Sequence, residues 1–243
     1  THRSEIEDAL ARHFNRRFCV LTNRGTTGLT AAFVALDRPS GARALFPAVM
    51  CSIPVFAARF AGWEPSFADV NLNDANFDLD SVERALGGGG VGAVIPVQMF
   101  GKPDDMEGLA ALCHRYKADL VEDVALSMGA VNKGRSTGTF GRISCLSFVR
   151  KMLPLEMGGA ILTDEILLAE RARAFVNGLP PEQAVRRGET SAAMKAFHSL
   201  TGYVAAGDWK RTELLLPFEA EFHRLLLAST SDADWESSIV LDE

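Results

Sequence analysis

The chain has 243 residues, 47% hydrophobic and 23% charged, enough to bury one substantial core as one large domain or two small ones. A net charge of −6 and a pI near 5.5 exclude an overall basic field that would gather nucleic acid or an anionic membrane surface. No apolar run approaches the roughly eighteen residues that cross a bilayer, and Cys19, Cys51, Cys113 and Cys145 lack metal-ligand spacing and read as reduced, mostly buried thiols in a cytoplasmic setting.

In chain order, 5–10 carries a helical pattern, 18–21 reads as a strand and 27–36 as a helix. A strand over 42–46 ends at Pro47, 52–60 is apolar enough for a buried helix, and 65–70 is the next strand. The helix expected over 79–86 stops at the tetraglycine 87–90, which reads as a flexible connection. Residues 92–97 form a strand pattern, and 104–116 an amphipathic helix with Asp104 and Asp105 at its start, where the dipole favours acids. Strands are expected at 119–122, 143–148 and 159–163, then a helix over 164–175 capped by Asp164. This alternation predicts an α/β fold: three αβα layers around a mostly parallel sheet. Ligands bind such sheets off the carboxyl ends of the strands.

Two residues near such ends carry chemistry. Asp123 closes Val121-Glu122-Asp123, and Lys151 follows the strand pattern at 143–148. An acid and a lysine so placed are the minimum equipment for pyridoxal phosphate. The lysine condenses with the cofactor aldehyde, and the acid pairs with the protonated ring nitrogen so that the ring can accept electrons. The turn Thr22-Asn23-Arg24-Gly25-Thr26-Thr27-Gly28 offers a glycine, hydroxyls and backbone N–H groups at a helix start. That suits a phosphate, and it equally suits an ordinary helix cap. No Walker or G-x-G-x-x-G pattern follows a strand, so ATP and NAD lack support. His198 and His223 have no ligand spacing, and no metal site is expected.

Five segments, taken in order, carry a resemblance. Asn23-Arg24-Gly25-Thr26-Thr27-Gly28-Leu29 is similar to an S-G-T-x-A-L phosphate turn. Phe46-Pro47-Ala48 through Gly62-Trp63-Glu64-Pro65-Ser66-Phe67-Ala68-Asp69-Val70 resembles a proline-led helix with a G-x-x-P-x-F-x-D-V strand. Pro96-Val97-Gln98-Met99-Phe100-Gly101-Lys102-Pro103-Asp104-Asp105-Met106 resembles P-V-H-x-Y-G-x-P-x-D-M. Glu122-Asp123-Val124-Ala125-Leu126-Ser127-Met128-Gly129-Ala130 resembles E-D-x-A-Q-x-x-G-A. Ser147-Phe148 to Lys151, then Gly158-Gly159-Ala160, resembles a cofactor-lysine segment. Over residues 5–175 the chain thus resembles the sugar aminotransferases of the DegT/DnrJ/EryC1/StrS family, fold type I pyridoxal-phosphate enzymes with an aspartate aminotransferase-like large domain.

The resemblance implies Lys151 and Asp123 as catalytic residues. It implies Gly25, Thr26, Thr27, Asp123, Ala125, Ser147 and Lys151 as the residues holding pyridoxal 5'-phosphate, with Ala125 small enough for the ring to lie flat. It further implies transfer of an amino group, from an amino-acid donor such as glutamate, to the keto group of a nucleotide-linked sugar, in a homodimer. A homologue that binds the cofactor in a regulatory or structural role without transamination is the alternative.

The departures lie at named positions. Leu126 stands where the family has Gln or His against the ring hydroxyl, and leucine donates no such bond. Gln98 replaces a frequent histidine, and Met157 an acid before the glycine pair. Arg150-Lys151-Met152-Leu153-Pro154 resembles a minority R-K-x-L-P form. No counterpart of the family's N-x-R segment, by which a neighbouring subunit completes the phosphate site, is recognised. Residues 1–180 are therefore expected to form the cofactor-binding domain, and 181–243 a helical continuation and the start of a C-terminal small domain. An amphipathic strip at 214–227 with Phe218 and Phe222 reads as core or subunit packing.

Overall fold

The computed structural model describes residues 2–148 and 158–179, and residues 1–177 make one compact unit. The expected readings at 149–157, Lys151 among them, and at 180–243 lie outside the described residues.

The chain opens with α1 (His2–His13), β1 (Phe18–Thr22) and α2 (Gly25–Ala35). α2 is apolar nearly all round and is buried on almost every face, as an apolar helix inside a layered fold must be. Next come β2 (Arg43–Pro47), α3 (Ile53–Phe60), β3 (Glu64–Ala68) and α4 (Leu79–Gly87). Asp78 caps α4 by accepting from Ser81 N at 2.7 Å. β4 (Val91–Val94) leads into a 3-10 turn at Met99–Gly101 and then α5 (Met106–Tyr116) and β5 (Asp119–Asp123). A small hairpin, β6 (Val131–Asn132) with β7 (Arg135–Ser136), precedes β8 (Ile143–Ser147), β9 (Gly159–Thr163) and α6 (Ile166–Asn177).

Seven strands form one sheet in the order β1-β9-β8-β5-β4-β2-β3. β9 runs antiparallel to both neighbours, and the remaining pairs, β8 with β5, β5 with β4, β4 with β2 and β2 with β3, are parallel. Alternating side chains serve the two faces. Val121 and Ile143 join Leu29, Phe33 and Ala57 beneath α2, α3 and α6, while Leu45, Val94 and Leu120 meet Val82, Met106 and Leu109 of α4 and α5. The expected three-layer, mostly parallel architecture is the one found.

Four local readings change. Asp164 does not cap α6. Its carboxylate accepts from Arg17 N at 2.9 Å and pairs with Arg16, and those tertiary partners outcompete the helix end. Of the two acids before α5, Asp105 is the cap, accepting from Gly108 N, whereas Asp104 is buried and accepts from Phe77 N at 2.7 Å. The helix expected over 52–60 is only half buried, with Pro54, Ala57 and Ala58 inside and Phe60 47% exposed. The strand expected over 65–70 stops at Ala68, and Val70 makes only an isolated bridge to Phe77. No helix among the described residues is long and apolar enough to cross a membrane.

Candidate active site

The described motif residues 22–28, 123–125, 147–148 and 158–159 fall on one edge of the sheet. Six strands end there, and β9, running the other way, starts there. Register places Thr22, Gly159 and Ser147 side by side on β1, β9 and β8, and sets Cys145 of β8 opposite Asp123 of β5. Ser147 thus lies two residues, about 7 Å, beyond Asp123 along the strand direction. A cavity of about 510 Å³, lined by His13, Arg16, Arg135 and Asp164 among others, opens beside the amino ends of β1 and β8 and includes none of the motif residues.

The β1–α2 turn is held by its own side chains and by the start of β9. Thr22 Oγ1 donates to Arg24 O at 2.9 Å, and Gly28 N closes the first helical bond to the same oxygen at 3.1 Å. The N–H groups of the first turn therefore have no intrahelical acceptors. Gly158 N donates to Asn23 O at 2.5 Å, and Phe148 N donates to Gly158 O at 3.0 Å. A Cβ on Gly159 would lie 2.7 Å from Arg24 C, Gly25 N and Leu146 O, so only glycine lets β9 pass under this turn.

Polar atoms collect here without partners. Thr27 is 1% exposed, and its Oγ1 has no hydrogen-bond partner. Arg24 is half-buried at the N-cap of α2 in extended conformation and makes no side-chain cap bond. Its Nε is sealed from solvent without an acceptor, and no carboxylate among the described residues pairs with the guanidinium.

Asp123 and Glu122 are adjacent acids with separate fates. Asp123, 3% exposed, donates its backbone N–H to Pro96 O at 3.0 Å, and its Oδ1 accepts from Ala125 N at 2.9 Å. That bond tightens the bend that turns Ala125 and Leu126 away from the strand. The Glu122 carboxylate is consumed by the scaffold. It accepts from Gly138 N at 2.8 Å, Phe140 N at 2.6 Å, Gly141 N at 2.5 Å and Ser144 Oγ at 3.2 Å. Burial pushes its carboxyl above the usual range, against the pull of those bonds.

Gln98 is a site residue whose role the sequence does not reveal. It sits just past β4 in left-handed conformation (φ 52, ψ 58), 1% exposed, with both amide atoms unpartnered. Two residues before it, Pro96 O holds the Asp123 backbone, and a Cβ on nearby Gly101 would lie 3.2 Å from Leu126 O. Gln98 therefore neighbours the two positions flanking the predicted ring site. Nothing local marks a glutamine for left-handed backbone, and an amide's lack of partners is a tertiary property.

The structure thus brings Gly25, Thr26, Thr27 and Ser147 together in one cradle, and it sets Asp123 and Ala125 at the neighbouring strand end. Known proteins resemble this chain in sequence and fold. The chain is 27% identical over 217 residues to the UDP-2-acetamido-2-deoxy-3-oxo-D-glucuronate aminotransferase of Pseudomonas aeruginosa, covering 88% of this chain and 56% of that protein. It is also 27% identical, over 193 residues, to the GDP-4-keto-6-deoxy-D-mannose 3-dehydratase of Escherichia coli O55:H7, covering 74% of this chain and 50% of the relative. The chain therefore spans about half the length of these curated relatives. The crystal structure of NtdA from Bacillus subtilis with bound cofactor PMP superposes with a TM-score of 0.68 at 25% identity, covering 77% of this chain and 42% of that one. Residues 1–203 match one family throughout, whose members are pyridoxal-phosphate enzymes acting on sugars, aminotransferases and a dehydratase among them. The chain belongs to the DegT/DnrJ/EryC1/StrS aminotransferase family, with the large-domain fold of type I pyridoxal-phosphate enzymes.

Proposed function

We propose that this chain forms the cofactor-binding part of an aminotransferase that moves an amino group from an amino acid, glutamate in the first instance, to the keto group of a nucleotide-linked sugar. The observation that carries the reading is the contact of the β1–α2 turn with Ser147 and Gly159, the residues that bracket the Lys151 segment. The residues present fit a phosphate monoester. The turn offers first-turn N–H groups, an orphaned Thr27 hydroxyl and a glycine pressed against Ser147. In this reading Thr26, Thr27 and Ser147 hold the phosphate, and Ala125 leaves room for a flat ring.

When bound, pyridoxal phosphate supplies an electron sink for the bond broken at the substrate's α-carbon. Asp123 keeps a proton on the ring nitrogen, a task suited to a buried carboxylate at a strand end. Lys151 would hold the cofactor covalently, and its free amine would take and return the α-proton as general base. A lysine at this position suits transamination, which needs an amine to move the α-proton. The same reading takes 1–180 as the cofactor-binding domain, a homodimer as the working form and the cytoplasm as its setting. Three buried free thiols support the last point.

Borohydride reduction of the yellow protein followed by peptide mapping tests the proposal. A label on Lys151 is expected, and a label on another lysine or on none overturns it.

A further inference from the structure

Arg24 carries a charge for which the described fold provides no counter-charge. The other half-buried or buried arginines among the described residues have a carboxylate or a carbonyl acceptor. Arg16 donates to the carbonyls of Thr139, Gly141 and Arg142 and pairs with Asp164, Arg3 and Arg173 pair with Glu7, and Arg43 donates to Gly89 O. Arg24 has a sealed, unpartnered Nε and, among the described residues, neither kind of acceptor. A guanidinium removed from water without an acceptor is destabilising, and the more so the deeper it lies.

Its place compounds the cost. Arg24 is the N-cap residue of the eleven-residue α2, where the helix dipole presents its positive end and the first-turn N–H groups lack intrahelical acceptors. Serine, threonine, asparagine and aspartate are favoured there because they accept from those groups, and arginine accepts from none. One turn in, the buried Thr27 hydroxyl has no partner either. A cation, a positive dipole end and an orphaned hydroxyl converge on one turn, and an anion at that turn satisfies all three.

We propose that Arg24 is the in-chain counter-ion of a phosphate monoester bound at the start of α2. The identity of that monoester as pyridoxal phosphate rests on the function proposed above, whereas anion binding by Arg24 does not. Arginine meets phosphate through two parallel N–H···O bonds, which lysine only partly replaces and glutamine lacks in charge.

The test uses the full chain as wild type, Arg24→Gln and Arg24→Lys. Binding of pyridoxal phosphate and of pyridoxal, which lacks the phosphate, is titrated by absorbance, and unfolding temperature is followed with and without inorganic phosphate. Arg24→Gln should lose about tenfold to a hundredfold in affinity for pyridoxal phosphate, keep its affinity for pyridoxal, and gain no stability from phosphate. Arg24→Lys should fall between. Without any anion Arg24→Gln should be at least as stable as wild type, a result that a structural role for the arginine would reverse. An unchanged ratio of the two affinities in Arg24→Gln, or a lower unfolding temperature without anion, overturns the proposal. If the wild type binds no pyridoxal phosphate but is stabilised by inorganic phosphate through Arg24, the cofactor reading fails and the anion site stands. If neither ligand acts, both fail.

Discussion

A Cβ on Gly25 would lie 2.7 Å from Ser147 Cβ and 3.1 Å from Ser147 Oγ, so the helix that starts at the cradle and the strand that leads toward Lys151 are packed to contact. Gly25→Ala should destabilise the protein by about 1–3 kcal/mol, the usual cost of one added carbon in a closed site. Replacing Ser147 by glycine in the same molecule removes both clashing atoms and leaves only its Cα, at 3.3 Å. The double variant should therefore recover much of the loss, a coupling that urea unfolding of all four proteins would measure. Simple additivity would show that the contact does not set the cost.

Glu7 anchors the edge of the sheet on which the cradle is built. Its Oε1 accepts from Leu21 N of β1 at 2.9 Å and from Arg173 Nη1 at 3.1 Å, and its Oε2 accepts from Arg173 Nη2 at 2.8 Å. One carboxylate thereby covers an edge N–H and ties α1 and α6 to β1. Glu7→Ala should cost about 2–4 kcal/mol, because it strands a buried N–H and a half-buried guanidinium together. Arg173→Ala should cost less, since Leu21 N and Arg3 still satisfy Glu7. Equal losses in chemical denaturation would contradict this asymmetry.

Asp104 ties the loop before α5 to the loop before α4 and is 2% exposed. Burial raises its pKa to about 6, with Asp74 and Asp105 adding repulsion and the N–H groups of Phe77 and Gln98 pulling back. The folded state therefore holds this proton more tightly than the unfolded chain, whose carboxyl titrates near 4. The associated stabilisation is complete below about pH 4 and is lost as pH rises through about 6, up to about 3 kcal/mol in all. Wild type should thus lose stability relative to Asp104→Asn between about pH 4 and about pH 6.5 in urea titrations. A constant difference between the two proteins over that range would refute it.

How much of this was legible in the sequence depends on whether the determinant was local. Apolar runs mark a buried strand whatever its direction, so 159–163 was readable as a strand while its antiparallel course was not. The β6–β7 hairpin left a signal in Lys133-Gly134, both at positive φ, but its two-residue strands are too short for any periodicity. Asp78 and Asp105 cap their helices as position suggests, whereas Asp164 answers to Arg16 and Arg17, near in space and distant in sequence. At the site, Gly25, Thr26, Thr27, Asp123, Ala125 and Ser147 could be named from ordered motifs. That Arg24 and Gln98 want partners could not, because a missing partner exists only once the surroundings are folded.

Glu122 and Asp123, adjacent in sequence, should separate cleanly under mutation. Glu122 Oε1 gathers Phe140 N, Gly141 N and Ser144 Oγ while Oε2 takes Gly138 N, so Glu122→Gln must turn an NH2 group toward at least one donor. A buried donor facing a donor costs about 1–3 kcal/mol, and the loop 138–141 should loosen first, visible as faster amide exchange there. Asp123 differs in what the substitution removes. Its Oδ1 accepts from Ala125 N, and asparagine keeps that oxygen. Asp123→Asn should therefore keep the bend at Ala125 and still be labelled at Lys151 by borohydride. Its half-reaction with glutamate should slow by about a hundredfold or more, since the group stabilising charge on the ring is lost. Full half-reaction rate in Asp123→Asn would show that another group serves the ring nitrogen, and a collapse of stability would show that Asp123, like its neighbour, belongs to the scaffold.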